Sequence, residues 1–177
     1  AENVAAVARE AGISTITRFF GVATARDLVN QGQMADLLLG NNVLAHVPDI
    51  NDFVAGMKKV LKADGIITME FPHLLQLIKQ NQFDTIYHEH YSYLSLMTVS
   101  TIFEQHGLSI IDVQELTTHG GSLRVFACHE GSLNFAPIDR VARLLTKELQ
   151  AGLGNIETYT DFAKKVHMAK RALLQFL

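Results

Sequence analysis

The sequence contains few of the residues that mark several large classes of protein. It has one cysteine, Cys128, no tryptophan and only three prolines in 177 residues. A single cysteine excludes an internal disulfide framework and a multi-cysteine zinc site, and it favours a reducing compartment such as the cytoplasm. The net charge of −3 provides no basic excess, so composition does not indicate binding to nucleic acid or to an anionic membrane.

Long apolar stretches are missing as well. Residues 1–12 mix acidic and basic side chains, which argues against a signal peptide, and no apolar run approaches membrane-spanning length. We therefore expect a soluble, cytoplasmic globular protein. The sequence does not begin with Met, and residues 170–177 form an amphipathic stretch without a helix stop signal, so we expect a fragment of a longer polypeptide.

Hydrophobic periodicity divides the chain into alternating helices and strands. The pattern predicts helices over residues 2–11, 22–29, 50–61, 73–79 and 98–106, and strands over residues 13–20, 35–40, 66–71, 108–115 and 122–129. This order is typical of an open, mostly parallel α/β sheet whose last two strands form an antiparallel pair. Beyond Pro137 the pattern is wholly helical.

Ligands of such sheets bind at the carboxyl ends of the strands. The predicted ends are Phe19-Phe20-Gly21, Gly40-Asn41-Asn42 and Phe71-Pro72-His73. Aromatic side chains can hold a flat ring, and successive amides can hydrogen-bond to a polar ligand. The aromatic pair of the first end is equally well explained as strand core, whereas the paired amides gain nothing by packing.

Polar and aromatic side chains concentrate in residues 84–93 (D-T-I-Y-H-E-H-Y-S-Y), which hold two of the eight histidines and three of the four tyrosines. Imidazole is well suited to accept a proton near neutral pH, a nearby carboxylate can orient it, and a phenol can donate to an oxyanion. The polar face of an edge strand explains the same residues equally well. Periodicity does not decide between His88 and His90 as the base.

The sequence gives weaker indications of ligand or metal binding for the other histidines and for Arg124. A metal site at His88 and His90 lacks a third ligand, so none is predicted. His46 and His73 are candidates for a pocket edge, and His119 precedes two glycines whose backbone donors can approach a sugar or a phosphate. Arg124 can contact a diphosphate or form a surface salt bridge.

Four motifs carry a resemblance to a known family. Residues 40–49 (G-N-N-V-L-A-H-V-P-D) resemble the loop after the fourth strand of class I S-adenosylmethionine-dependent methyltransferases. The combination of E-F-P-H at 70–73, F-D-T-I-Y-H-E-H at 83–90 and T-H-G-G-S-L-R at 118–124 resembles the sugar C-methyltransferases. Members of that family methylate a ring carbon of a nucleotide-linked 4-keto-deoxysugar.

The resemblance implies an α/β fold with two parts. Residues 1–130 are expected to form a partial Rossmann-like class I methyltransferase domain, and residues 131–177 a helical segment leading into a C-terminal domain. S-adenosylmethionine is the implied methyl donor and a nucleotide sugar the implied partner. The family's cysteine-rich zinc domain, glycine-rich cofactor loop and acidic ribose ligand have no counterpart in this sequence. We expect the sheet edge left without neighbours to pair with another strand or with a second copy of the chain.

The resemblance also implies roles for individual residues. His90 is the expected base, Glu89 a supporting or alternative acid/base, and Tyr87 the donor to the enolate or a sugar-positioning group. The implied cofactor-binding residues are Phe20, Asn41, Asn42 and His46, and the implied substrate-binding residues are Phe71, His73, His88, His119 and Arg124. Two alternatives remain: an isomerase or epimerase that uses the same base, and a non-catalytic module that binds no cofactor.

Overall fold

The computed structural model describes residues 2–177. Its helices are α1 (Glu2–Glu10), α2 (Val22–Asn30), α3 (Ile50–Val60), α4 (Leu74–Lys79), α5 (Leu96–Gln105), α6 (Asp139–Gln150) and α7 (Ile156–Phe176). Its strands are β1 (Ala35–Asn41), β2 (Leu61–Pro72), β3 (Leu108–Leu116) and β4 (Ser122–His129). Short 3-10 helices lie at Leu44–His46, Phe83–Thr85 and Thr118–Gly120.

The four strands form one sheet in the order β1-β2-β4-β3. β1 pairs in parallel with β2, and β4 pairs antiparallel with both β2 and β3. Three strands therefore run in one direction, and β4 runs against them. The predicted α/β class and the antiparallel final pair are confirmed, and the carboxyl ends of β1 and β2 lie side by side.

The predicted strand over residues 13–20 is wrong. These residues form no strand; Phe19 is 96% exposed, and the Phe20 ring packs edge-on against Phe53 with centroids 5.4 Å apart. A β-branched segment forms a strand only where its backbone groups find a partner, and the segment pairs with no strand of the described sheet. β1 is thus an edge strand on which Leu37 and Leu39 are exposed. Association of two copies through this edge stays a prediction.

Capping side chains explain where two helices begin. The Asp49 carboxylate accepts a hydrogen bond from the Asp52 N–H at 2.9 Å. Helix α3 begins directly after Asp49, at Ile50, as predicted. The Ser95 hydroxyl accepts from the Thr98 N–H at 3.2 Å, so α5 begins two residues earlier than its apolar pattern predicts. Periodicity locates the buried face of a helix, whereas the cap decides its first residue.

The main core lies between one face of the sheet and the helices that cover it. Ile67, Met69 and Phe71 alternate along β2 and are all buried in it. Val141 and Leu144 of α6 belong to the same core. A second cluster joins α4 to the loop before α7 and to α7 itself; it contains Leu75, Leu77, Ile78, Leu153, Tyr159 and Phe162. The helices beyond residue 131 therefore pack directly on the sheet domain. Within residues 2–177, no helix is long and apolar enough to cross a membrane.

Helices α2 and α3 approach closely at Gly56. A Cβ atom added there would lie 2.7 Å from the backbone carbon of Gly21 and 2.9 Å from its oxygen. Although alanine is the better helix former, we expect Gly56→Ala to lower the free energy of unfolding by about 1–3 kcal/mol, because backbone cannot move aside as a side chain can. Urea unfolding measures this. Gly154→Ala is the control, since a Cβ there meets no atom within 4 Å; equal effects of the two substitutions would contradict the close approach.

Candidate active site

The loop after β1 supports the stretch 84–93. Asn42 has a left-handed backbone with φ of 55°, and its N–H donates to the Glu70 carbonyl at 2.8 Å. The chain then turns through a 3-10 helix, where the Ala45 carbonyl accepts from the N–H groups of Tyr91 and Ser92 at 2.9 and 3.2 Å. The stretch 84–93 begins within the 3-10 helix Phe83–Thr85, and residues 86–93 have irregular backbone. The edge-strand interpretation is therefore wrong, and the stretch lies beside the carboxyl ends of β1 and β2.

The hydrogen bond of His90 assigns roles to its two ring nitrogens. Nδ1 lies 2.8 Å from the Thr85 carbonyl oxygen. A carbonyl only accepts, so Nδ1 carries the hydrogen, and in the neutral ring Nε2 holds the free lone pair. No other polar contact occupies Nε2 within the described part of the chain. The partly exposed His90 therefore presents a proton acceptor.

Three aromatic rings surround His90. Its centroid lies 4.5 Å from that of Tyr87, 4.7 Å from that of His46 and 5.9 Å from that of Tyr93. We call these four residues the His90 cluster. His46 is held in the same way as His90, since its Nδ1 donates to the Glu89 carbonyl at 2.9 Å. Predicted as a cofactor contact, His46 thus lies against the candidate base.

His88 and Glu89 differ from their neighbours in the motif. Both are exposed, and the His88 ring lies 6.4 Å from Tyr87 at its nearest ring contact. The Glu89 carboxylate has no hydrogen-bond or ion-pair partner in residues 2–177. The fold therefore favours His90 over His88 as the candidate base, a choice that periodicity left open. Among the described residues no group of three or more His, Cys, Asp or Glu side chains is placed to hold a metal ion.

The predicted contacts of Phe71 and His73 with substrate are wrong. Phe71 is 0% exposed and packs in the main core, because the inward face of β2 includes its last residues. His73 is 1% exposed, and its Nε2 lies 2.8 Å from a carboxylate oxygen of Glu148. Neither side chain has surface with which to contact a ligand.

Arg124 forms the ion pair that the sequence left as an alternative. Its Nη2 donates to the Glu70 carboxylate at 2.8 Å, and the Thr118 hydroxyl donates to the other oxygen at 3.1 Å. Glu70 thus ties the turn before β4 to the end of β2. His119 stands exposed at the tip of this turn with φ of 52°. Contacts of His119 and Arg124 with a substrate stay predictions.

Sequence reasoning missed two carboxylates, Glu70 and Glu148. Both have a signal in the sequence: Glu70 interrupts the apolar run of β2, and Glu148 falls at helical spacing from Val141 and Leu144, inside the apolar stripe of α6. A carboxylate in such a position must be paired.

Burial also determines the state of the single cysteine. Cys128 is buried in β4, and this burial raises the pKa of its thiol, so the thiol form dominates at neutral pH. Cys128 therefore does not serve as a nucleophile in this arrangement.

Comparison with known proteins agrees with the motifs. Residues 117–177 match the C-methyltransferase C-terminal domain family. The chain is 38% identical over 163 residues to the C-methyltransferase NovU of Streptomyces niveus, a match that covers 92% of this chain. The chain is therefore similar to a C-methyltransferase over most of its own length. It spans 39% of the length of NovU.

Solved structures similar to the chain share little sequence with it. One is magnesium protoporphyrin IX methyltransferase from Synechocystis with bound SAH, at a TM-score of 0.44 and 16% identity, covering 59% of this chain and 49% of that one. Another is an S-adenosylmethionine-dependent methyltransferase from Clostridium acetobutylicum, at a TM-score of 0.44 and 8% identity, covering 60% and 69%.

Proposed function

We propose that the natural protein transfers a methyl group from S-adenosylmethionine to a ring carbon next to the keto group of a nucleotide-linked 4-keto-deoxysugar. The observation that carries the proposal is the free Nε2 of His90, held in place through Nδ1 beside the carboxyl ends of two strands. The similarity to NovU, a C-methyltransferase, supports the reaction class.

His90 acts as the base in this reaction. Nε2 takes the proton from the carbon next to the keto group, and the electrons of that C–H bond form an enolate. S-adenosylmethionine, when bound, would supply an electrophilic methyl group to the enolate carbon, and its sulfur would keep the electrons of the broken bond as S-adenosylhomocysteine leaves. Tyr87 lies beside the His90 ring and donates to the enolate oxygen, where negative charge develops.

Asn41 and Asn42 fit the cofactor role. Both are exposed at the carboxyl end of β1, and no other described residue bonds to their side-chain amides. Paired amides suit a ligand rich in hydroxyl and amino groups. The cofactor supplies an electrophilic methyl group, and His46 adds a second imidazole between this loop and His90. Phe20 packs on Phe53 instead of ending a strand, so its contact with the cofactor rests on resemblance alone.

Exposed residues near the carboxyl ends of β1 and β2 contact the substrate in this proposal. His88 follows Tyr87 directly, and Glu89 offers an unpaired carboxylate as a second acid or base. Arg124 is partly exposed despite its ion pair, which leaves a guanidinium edge for a diphosphate.

An isomerase using His90 would need no methyl donor, so binding of the donor distinguishes the two enzymes.

Calorimetry with S-adenosylhomocysteine tests the proposal. We expect the full-length natural protein to bind it, and the Asn41→Ala/Asn42→Ala double variant to bind about tenfold or more weakly, because lost hydrogen bonds each cost about 1 kcal/mol. Ser132→Ala, on the turn after β4, serves as the control and should bind as the unaltered protein does. Absence of binding by the full-length protein would refute the transferase. Binding by the full-length protein but not by residues 1–177 would make this part alone a non-catalytic module.

A further inference from the structure

Glu148 is a carboxylate completely enclosed by protein. It is 0% exposed, and both its oxygens accept hydrogen bonds. Oε1 lies 2.8 Å from the Leu96 nitrogen and 2.8 Å from His73 Nε2, and Oε2 lies 2.8 Å from the Met97 nitrogen. A carboxylate only accepts, so Nε2 of His73 carries a hydrogen. Three donors from two separate parts of the chain therefore converge on one side chain of α6.

These two parts are the ends of the segment 74–95, which carries the His90 cluster apart from His46. His73 directly precedes the segment, and Leu96 and Met97 directly follow it. The ends lie side by side: His73 forms an isolated parallel bridge with Leu94, and the Leu74 N–H donates to the Leu94 carbonyl at 2.9 Å. Glu148 bonds to both ends at the point where they meet.

We propose that Glu148 is a positioning residue that fixes both ends of this segment, so that the geometry of the His90 cluster depends on α6. The inference rests on the proposed function, because it treats His90 as the base. Glu148 itself does not reach the reacting atoms. It acts through His73 at one end of the segment and through the first turn of α5 at the other.

A carboxylate suits this position for two reasons. Leu96 and Met97 begin α5, where backbone N–H groups lack helical partners and the helix dipole favours negative charge. The third donor, His73, is buried as well, and its Nδ1 has no partner in the described chain, so Nε2 to Glu148 is the single side-chain hydrogen bond of His73. Loss of the carboxylate would free a whole buried imidazole and two backbone donors at once.

Other contacts hold the middle of the segment. The Ala45 carbonyl accepts from two of its N–H groups, the Glu89 carbonyl accepts from His46 Nδ1 at 2.9 Å, and the Gln82 amide donates to the Gly120 carbonyl at 2.8 Å. The apolar side chains of α4 also pack in the second cluster. Glu148 differs from all of these, because one buried side chain bonds to both ends of the segment at once.

Glu148→Gln tests the proposal, because it preserves shape while an NH2 group replaces one acceptor. Hydrogen exchange of amides 84–95 in the full-length natural protein is the first measurement, and we expect at least about a tenfold acceleration, because the NH2 group cannot accept the hydrogen bond of a buried donor. The second is methyl transfer: kcat should fall about 100-fold with KM for S-adenosylmethionine unchanged, because small misplacements of a catalytic group have large costs.

Leu144→Ala is the matched control. It removes a buried side chain of the same helix, one turn earlier, and leaves the three hydrogen bonds of Glu148 in place. The quantity compared is the hydrogen-exchange rate of amides 84–95 divided by that of the amides of β2 and β4. This ratio should rise in Glu148→Gln and not in Leu144→Ala when the two variants have the same global stability. Equal rises would overturn the positioning role.

A second variant keeps the test decisive. If Glu148→Gln does not fold, His73→Gln breaks one end only and should accelerate exchange near residue 74 more than near residue 95; uniform exchange would overturn the proposal. If the unaltered protein transfers no methyl group, the proposed function fails, whereas the exchange data still decide the positioning role.

Discussion

Replacing His90 by glutamine is expected to lower kcat for methyl transfer by about 10²–10⁴-fold, the usual contribution of a positioned general base. Glutamine can keep a donor toward the Thr85 carbonyl, but its remaining atoms offer no basic nitrogen where Nε2 stands. Binding of S-adenosylhomocysteine should be unchanged, because no contact assigned to the cofactor involves His90. The substitution therefore separates proton removal from cofactor binding.

The measurement uses single-turnover methyl transfer together with solvent deuterium incorporation next to the keto group. His88→Gln is the matched control: the residue is exposed, and its ring lies outside the His90 cluster. We expect its kcat to stay within about threefold, with any effect in KM, since it loses at most a binding contact. Deuterium exchange that persists unchanged in His90→Gln would exclude His90 as the base.

The sequence predicted the location of this site better than its internal arrangement. The motif at 84–93 and the amides at 41–42 were identified from residue types, because polar side chains after buried strands have no packing reason to be there. The choice of His90 over His88 needed the fold. An irregular backbone does not alternate its side chains, so only the Thr85 carbonyl and the neighbouring rings distinguish the two.

Elements were predictable where local pattern and tertiary context agree. The helix over 50–61 and the hairpin strands at 108–115 and 122–129 match the structure within one residue. The segment 13–20 has the same β-branched pattern yet forms no strand, because strand formation depends on a partner that the pattern does not contain. The pattern indicates which secondary structure a segment can form, but it does not show whether a strand is present for the segment to pair with.

The partners of the buried carboxylates could not be predicted from the local pattern. Glu70 and Glu148 each appeared in the sequence as a charged residue among apolar ones, and the structure gives each of them a set of donors. Their partners lie 48 to 75 residues away along the chain. Such pairings cannot be read from spacing, although the presence of a carboxylate within an apolar stripe indicates that a partner exists.

Phe71→Ala is expected to lower the free energy of unfolding by about 3–5 kcal/mol, the usual cost of removing a buried aromatic ring. Phe71 is 0% exposed near the carboxyl end of β2, and it belongs to the main core together with Met69 and Leu123. The loss combines the apolar surface removed from the core with the cavity left behind. Urea or thermal unfolding of the variant measures it.

Phe19→Ala provides the control, because the same side chain is removed from a position that is 96% exposed. Its free energy of unfolding should change by less than about 0.5 kcal/mol. The pair also tests whether Phe71 is a core residue or a substrate contact, the role that the motif E-F-P-H suggested. If Phe71→Ala kept full stability and raised KM for the nucleotide sugar, the ring would be a ligand contact after all. A large loss of stability with an unchanged KM in the remaining folded protein assigns it to the core.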